Sequence, residues 1–258
     1  MLLSPDRLER FSRQIILPEI GGAGQVALSG KHVVLVGLGG IGCPALQYLA
    51  GAGIGTITLV DDDDVALSNL QRQTIYRMED LGRPKVEASA AWIRQFDPEI
   101  TIHKHATRIN AANAGSLLAG ADLVLDGCDN FATRLTVSDH CVALAIPLLS
   151  AAVGRFQGQV ACFAGHLPDQ SCYRCFVGDA FDTDECDTCA EDGMLGAMAG
   201  WTGSFAAMQA VRLLLAGISL PEDPQWGTLY LLDGRAPSMR SITLPPDPAC
   251  RTCGSQAG

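Results

Sequence analysis

The stretch KHVVLVGLGGIGCPALQYLAGAGIGTITLVDDDD, residues 31–64, decides the fold of this chain. Its first apolar run, 33–36, is typical of a strand that is buried on both faces. The hexapeptide GLGGIG at 37–42 follows and fits the pattern G-x-G-x-x-G, and a helix is expected after it. A glycine-containing turn at 51–55 then leads into a second predicted strand, Thr56–Val60.

This order of elements predicts a nucleotide site. Glycines let the backbone turn sharply and approach a phosphate closely, and the following helix offers unpaired N–H groups and a partial positive charge. Asp61 comes directly after the second strand, where a carboxylate can accept hydrogen bonds from ribose hydroxyls. The glycine pattern alone is a weak signal. Strand, loop, helix, strand and acid in this order favour an adenine nucleotide.

Strands and helices continue to alternate over the first 150 residues. Further strands are predicted at 100–102, 123–126 and 147–152, with helices at 86–96 and 132–144. Such alternation is typical of an α/β fold with a doubly wound, mostly parallel, Rossmann-like sheet. Ligands of these sheets bind beyond the carboxyl ends of the strands. We therefore expect the glycine motif, Asp61 and Asp129 to converge there.

The flanking regions are expected to extend this domain. Residues 1–30 predict a helical arm that starts at the N-cap Ser4 and is broken by the glycines at 21–24. Residues 31–155 form the predicted nucleotide-binding region, and 156–258 add an antiparallel extension to the same domain. That extension comprises predicted strands at 159–163, 229–232 and 239–244 and a small-residue helix from about 200 to 216.

Bulk properties restrict the partners and the compartment. The formal net charge of −10 and the pI near 4.8 argue against nucleic acid and anionic membrane surfaces. The most apolar stretch, 194–220, carries Gln209 and Arg212, so a membrane span is not expected. No signal peptide is recognised, and ten cysteines in such a chain indicate metal ligands and core thiols. These features favour a soluble cytoplasmic protein.

Basic and acidic residues near the motif predict how a triphosphate would be held. Arg72 and Lys85 are candidate phosphate ligands, and each charge-assisted hydrogen bond contributes roughly 1.5–3 kcal/mol. Two cations cannot balance about four negative charges, so a divalent cation is also needed. Asp129, after the fourth strand, is the natural Mg²⁺ ligand, because Mg²⁺ binds one or two carboxylates together with phosphate oxygens. The alternative is that Asp129 caps the next helix.

Several segments resemble the ThiF/MoeB family, bacterial relatives of the ubiquitin-activating enzymes that adenylylate small sulfur-carrier proteins. These segments are RQIIL at 13–17, GLGGIGCP at 37–44, DDDDVALSNLQRQ at 61–73, GRPK at 82–85 and DGCDNFATR at 126–134. The resemblance extends from Arg13 to the final Cys-x-x-Cys, nearly the whole chain. Its motifs are specific because several unrelated spacings agree at once.

The resemblance implies a role for each matched position. The residues expected to bind ATP and Mg²⁺ are Gly37, Gly39 and Gly40 of the glycine motif at the phosphates, Asp61 at the ribose, Asn69, Arg72 and Lys85 around the triphosphate, and Asp129 on Mg²⁺. Arg13 resembles the family arginine that reaches into the partner subunit's nucleotide site, which implies a homodimer.

The implied reaction joins the carrier to AMP. The C-terminal glycine carboxylate of the carrier attacks the α-phosphorus of ATP, which gives an acyl-adenylate and pyrophosphate. A carboxylate is already ionised at pH 7, so no general base is needed. Catalysis should consist of positioning and charge neutralisation by Arg13, Arg72, Lys85 and Asp129.

Two Cys-x-x-Cys pairs predict a structural metal. Cys172 with Cys175 and Cys250 with Cys253 suit one closed tetrahedral Cys₄ zinc site, and the family resemblance assigns zinc to these pairs. Such a site would fasten the C-terminal tail to the loop at Cys172.

A third pair, Cys186 with Cys189, lies in an acidic loop. Neighbouring carboxylates would raise the pKa of a thiol there and weaken its reactivity. Cys189 nevertheless aligns with the crossover-loop cysteine that some family members use covalently in sulfur transfer. It is therefore either a catalytic residue or an exposed loop thiol, and a sulfurtransferase is a possible further partner.

Two other functions compete with adenylylation. An NAD-dependent oxidoreductase shares the glycine motif and the acid, but it leaves Arg72, Lys85 and the cysteine pairs without a role. The second alternative is a zinc-stabilised binding scaffold without catalysis. Such a scaffold would not need all of the charged residues that are expected around the triphosphate. Within the adenylyltransferase hypothesis, carriers of the thiamine pathway and of the molybdopterin pathway both stay open.

Overall fold

The computed structural model describes residues 3–179, 193–222 and 224–254, and a single sheet runs through them. Its strands are β1 His32–Val36, β2 Thr56–Val60, β3 Thr101–His105, β4 Leu123–Asp126, β5 Leu148–Gly154, β6 Gln157–Phe163, β7 Thr228–Asp233 and β8 Ser238–Thr243. The α-helices of this part of the chain are α1 Pro5–Arg10, α2 Ser12–Ile15, α3 Gly21–Ser29, α4 Gly42–Ala52, α5 Lys85–Phe96, α6 Ala114–Leu118, α7 Phe131–Ala143, α8 Tyr173–Val177 and α9 Gly196–Leu215.

The sheet order is β3-β2-β1-β4-β5-β6-β7-β8. Neighbouring strands from β3 to β5 pair in parallel, whereas β5 to β8 pair antiparallel. The chain runs outward from β1 through β2 to β3 and then crosses past β2 and β1 to β4, so the strand order reverses between β1 and β4. Such sheets bind ligands at this switch point. The predicted α/β fold, with a mostly parallel sheet and an antiparallel C-terminal extension, is confirmed.

The core lies on both faces of the sheet. Val33 and Leu35 of β1 belong to a cluster with α3, α4, α5 and α9, and Val34 and Val36 belong to a second cluster with α6, α7 and α8. The alternating side chains of β1 thus meet apolar layers in both directions, as its continuous apolar run predicts. Within the described ranges, no helix is long and apolar enough to cross a membrane.

The N-terminal arm corrects one prediction. Ser4 caps α1 as expected, because its Oγ accepts a hydrogen bond from the Arg7 N–H at 3.3 Å. The glycines at 21–24 do not break the chain; they begin α3. A Cβ added to Gly24 would lie 2.9 Å from Ser219 Oγ, so a small residue lets α3 approach the chain that follows α9. This tertiary packing, with Leu28 fully buried, outweighs the poor helix propensity of glycine.

Two other boundaries also differ. Helix α4 continues through Ala52 into the predicted turn and ends at Gly53, whose φ of 85° is left-handed. Helix α9 begins at Gly196, several residues before its predicted start.

Candidate functional site

A cavity of about 900 Å³ opens at the carboxyl ends of the parallel strands. Most of the predicted site residues line it, although they come from separate segments of the chain. They are Gly37, Gly39, Gly40, Asp61, Asn69, Arg72, Lys85 and Asp129. The glycine motif, Asp61 and Asp129 thus converge at this edge of the sheet, as the topology predicts, and the functions of all these residues stay predictions.

The glycine loop presents backbone N–H groups at the start of α4. A Cβ on Gly42 would lie 2.0 Å from the Gly37 carbonyl oxygen, so only glycine permits this turn. Among the described residues, the amides of Gly39 and Gly40 find no acceptor, and both residues line the cavity. Unpaired amides at a helix N-terminus suit a phosphate.

Asp61 ties the glycine loop to the end of β2. Its carboxylate accepts hydrogen bonds from the N–H groups of Leu38 at 2.6 Å and Asp63 at 2.9 Å. Burial raises the pKa of the Asp61 carboxyl, and the charge of Lys85 and these two N–H groups oppose the rise. Each carboxylate oxygen can accept more than one hydrogen bond, so Asp61 can hold the loop and still accept from a ribose hydroxyl.

Lys85 is a buried cation on the cavity wall. Its side chain is 5% exposed, and Nζ lies 2.6 Å from Asp63 Oδ2 and 3.9 Å from Asp61 Oδ1. A phosphate that binds Lys85 must therefore compete with the Asp63 carboxylate, which is mostly exposed and easily rehydrated.

The polar loop between β2 and α5 carries the remaining predicted phosphate ligands. Arg72 donates from Nη1 to the Ser68 carbonyl at 2.9 Å, and Asn69 Oδ1 accepts from the Ala66 N–H at 3.2 Å. These local bonds give an irregular segment a defined shape beside the cavity.

Asp129 is an exposed carboxylate at the cavity wall. Asn130, rather than Asp129, caps α7, because its Oδ1 accepts from the Thr133 N–H at 2.9 Å. The described part of the chain gives the Asp129 side chain no hydrogen-bond or ion-pair partner. This residue thus has the donor oxygens and the freedom that a Mg²⁺ ligand needs.

Sequence reasoning missed three residues of this site. Gln73 is 3% exposed and lines the cavity, and its Oε1 has no hydrogen-bond partner within the described ranges. Arg108, just beyond β3, is an exposed cation on the cavity wall. Arg134 is buried; it pairs with Asp126 at 3.3 Å.

Arg134 fixes the segment that carries Asp129. Its guanidinium also donates to the carbonyls of Cys128 and Ala151 and, at 3.0 Å, to Ser150 Oγ. It therefore connects the end of β4, the middle of β5 and the turn between β4 and α7. Gln73 and Arg134 are the last residues of the quoted motifs DDDDVALSNLQRQ and DGCDNFATR. Their place in these motifs could have indicated that they belong to the site.

One predicted catalytic residue among the described ones is not brought to the cavity. Arg13 is exposed on α2 and does not line it. Cys189 lies outside the described residues, as does Cys186.

The four cysteines predicted to bind zinc form a cluster. The Sγ atoms of Cys172 and Cys175 are 3.9 Å apart, and those of Cys172 and Cys250 are 3.6 Å apart. Cys175 and Cys253 are separated by 3.3 Å, and all four sulfur atoms lie within 4.8 Å of one another. A tetrahedral site with Zn–S bonds of about 2.3 Å requires sulfur separations of about 3.8 Å. The donor set and its spacing therefore fit zinc.

The sheet, the glycine loop and the cavity define a Rossmann-like nucleotide-binding fold. The chain belongs to the ThiF family, whose family model matches residues 11–252. This membership argues against the oxidoreductase alternative.

Comparison with known proteins supports the family on both sequence and fold. The chain is 40% identical over 245 residues to the sulfur carrier protein ThiS adenylyltransferase of Escherichia coli, covering 95% of this chain and 94% of that protein. It is 38% identical over 252 residues to the molybdopterin-synthase adenylyltransferase of Salmonella typhimurium, covering 98% of each. The crystal structure of E. coli MccB with ATP has a TM-score of 0.81 at 21% identity, covering 95% of this chain and 74% of MccB. The similarity to MccB is evidence for the fold alone.

Proposed function

We propose that this protein is an ATP-dependent adenylyltransferase that activates the C-terminal glycine carboxylate of a small ubiquitin-like sulfur-carrier protein. The observation that carries the proposal is the convergence of the glycine loop, Arg72, Lys85 and Asp129 on one cavity. Two relatives of similar length are named as adenylyltransferases, one for ThiS and one for molybdopterin synthase. Carriers of the thiamine and molybdopterin pathways are both candidates, because the two identities are nearly equal.

In the proposed complex, the triphosphate lies against the free amides of Gly39 and Gly40, and the ribose hydroxyls donate to Asp61. Lys85 exchanges its contact with Asp63 for a phosphate oxygen, and Arg72 supplies the second positive charge. Asp129 would hold Mg²⁺, which supplies further neutralisation of the phosphate charge.

The carrier carboxylate then attacks the α-phosphorus, a new P–O bond forms, and the bond to pyrophosphate breaks. Because the nucleophile is already ionised, this chain needs to orient it and to neutralise charge rather than to remove a proton. The absence of a histidine from the quoted motifs agrees with this mechanism.

The rest of the proposal concerns partners and metal. We propose zinc at the four clustered cysteines and a carrier-binding role for residues 156–258. We also propose that the protein forms a homodimer, because Arg13 is exposed and can contact a second subunit. We further propose that Cys189 takes part in sulfur transfer and that a sulfurtransferase is a second partner. We also propose a cytoplasmic location, because cysteines that cluster as metal ligands are typical of proteins in a reducing compartment.

The test is mass spectrometry of purified ThiS-type and MoaD-type carriers after incubation with the protein, ATP and Mg²⁺. We expect the mass of at least one carrier to increase by that of an adenylyl group (AMP less one water), together with carrier-dependent exchange of pyrophosphate into ATP. A carrier that lacks its C-terminal glycine is the control and should stay unmodified. Absence of both signals with every carrier would refute the proposal, and carrier binding without ATP consumption would favour the scaffold alternative.

A further inference from the structure

The two Cys-x-x-Cys pairs meet at one carboxylate on α7. Asp139 accepts hydrogen bonds from Arg174 Nε at 3.1 Å and Nη2 at 2.7 Å, and its Oδ1 also accepts from Thr252 Oγ1 at 2.7 Å. Arg174 lies between Cys172 and Cys175, and Thr252 lies between Cys250 and Cys253. Asp139 therefore connects both cysteine arms to the same helix.

Burial makes this connection stronger than an ordinary surface ion pair. The Arg174 side chain is 3% exposed and the Asp139 side chain 33% exposed. An Arg that is so buried has lost most of its hydration, and a carboxylate partner compensates that loss. Removal of the partner leaves an uncompensated buried charge. Asp179 also bridges the arms, through Arg174 at 2.7 Å and Arg251 at 3.2 Å, but its side chain is 57% exposed and solvent weakens its contacts.

The segment that Asp139 holds is also a wall of the cavity. Tyr173, Phe176 and Val177 of α8 line the cavity, and the Tyr173 ring packs edge-to-face against Phe163 of β6. Helix α7, which carries Asp139, begins at the cap Asn130 beside Asp129. Asp139 thus joins the cysteine cluster and α8 to a helix that begins at the cavity.

We propose that Asp139 is a positioning residue for the Cys₄ site, which holds the two cysteine arms together and keeps α8 in place as a cavity wall. This inference rests on the proposed zinc site. Outer carboxylates that orient metal-binding segments commonly change metal affinity by about 10- to 100-fold when they are removed. Here the carboxylate acts through Arg174 and Thr252 rather than on a sulfur atom.

The test compares Asp139→Asn with Asp122→Asn in the zinc-loaded full-length protein. Asp122 is a matched control because its side chain is also 33% exposed, and it accepts from Lys31 Nζ at 2.9 Å and the His32 N–H at 2.8 Å. It precedes β4, at the end of the strand opposite to the cavity. The readout is the rate at which zinc passes to a chromogenic chelator.

We expect zinc transfer from Asp139→Asn to be about 10- to 100-fold faster, with the control unchanged. We also expect Asp139→Asn to raise KM for the carrier while KM for ATP stays the same, because α8 carries none of the proposed ATP ligands. Equal zinc transfer from the two variants would overturn the inference while leaving the zinc site intact. Wild-type protein that binds no zinc would refute the zinc proposal and this inference together.

Thr252→Val provides an independent measurement if Asp139→Asn does not fold. It removes the contact of Asp139 with the second arm and leaves the Arg174 pair. We expect faster zinc transfer than in the wild type but slower than in Asp139→Asn. In the double variant, the combined effect should be smaller than the sum of the two single effects, because Asp139→Asn weakens the contact with Thr252 that Thr252→Val removes. A Thr252→Val rate equal to that of the wild type would count against the proposal.

Discussion

At the scale of single residues, two aspartates of the same cavity differ in their surroundings. Asp61 and Asp129 both follow strands, yet Asp61 is bonded to two backbone amides and Asp129 has no partner among the described residues. Asp61 thus shapes the site, whereas Asp129 keeps its carboxylate available. Substitution of Asp61 and substitution of Asp129 should therefore have different effects on stability and on activity.

For Asp129→Ala we expect carrier-dependent pyrophosphate exchange to fall by at least ~10²-fold, as when a main electrostatic element is deleted. Stability should change little, because the side chain is exposed. Asp64→Ala, an exposed acid of the same acidic run that does not line the cavity, serves as the control and should keep its activity. Near-normal exchange in Asp129→Ala would remove this residue from the mechanism.

Buried thiols give a pH prediction. Burial raises the pKa of Cys43 and of Cys162 to about 12, from an ordinary value of 9.0. In the folded protein both should stay unlabelled by iodoacetamide at pH 9, as peptide mapping would detect, and react only after unfolding. An unfolded thiol releases its proton first, so these two residues make the free energy of unfolding fall between about pH 9 and 12. Labelling of native Cys43 at pH 9 would contradict the burial.

At the scale of elements, α7 links the candidate metal ligand to the rest of the molecule. Its N-terminus is fixed by the Asn130 cap, and Arg134 in its first turns binds the end of β4 and the middle of β5. One turn farther along, Asp139 holds both cysteine arms. A change at either end of this helix should therefore reach the site.

Asn130→Ala tests the cap. We expect it to reduce the free energy of unfolding by about 0.5–2 kcal/mol, measured by urea denaturation, because a helix N–H loses its acceptor. Exchange activity should also fall, since Asp129 is the adjacent residue. Ser4→Ala removes the equivalent cap of α1, far along the chain from the cavity, and should lower stability while the exchange rate stays the same. If the two variants lose activity equally, the cap has no special connection with the site.

At the scale of the whole molecule, the described chain leaves the site without Arg13. This arginine is exposed on α2 and does not line the cavity of its own subunit. The proposed homodimer would supply it from the second copy. The active site would then contain all of its predicted arginines only in the dimer.

Subunit mixing tests this arrangement. Arg13→Ala and Asp129→Ala should each be inactive alone, but a heterodimer of the two has one site with Asp129 and a partner arginine. Random mixing should therefore restore about a quarter of the wild-type exchange activity, because half of the dimers are mixed and each has one complete site. The measurement is exchange activity after the two variants are unfolded together and refolded. No recovery, with dimers present by sedimentation, would exclude an arginine that acts across the interface.

Local sequence pattern determined the nucleotide-binding part of this fold. The apolar run of β1, the glycines of the turn and the acid after β2 are near neighbours along the chain, so steric limits and strand topology alone bring them together. The same reasoning located Arg72, Lys85 and Asp129 at one cavity, since the carboxyl ends of parallel strands share an edge. The quoted cysteine spacing likewise indicated a tetrahedral cluster.

Only the tertiary structure decided the contacts that depend on distant segments. The glycines at 21–24 become helix because Gly24 packs closely against Ser219, and Asp139 acquires its role because Thr252 reaches it from the C-terminal region. Gln73 is buried beside Gly39, and Arg134 is buried against Ser150 and Ala151, so each depends on a segment outside its own motif. Such contacts leave no periodic signal in the sequence, because their energy comes from packing and from the desolvation of paired charges rather than from local backbone preference.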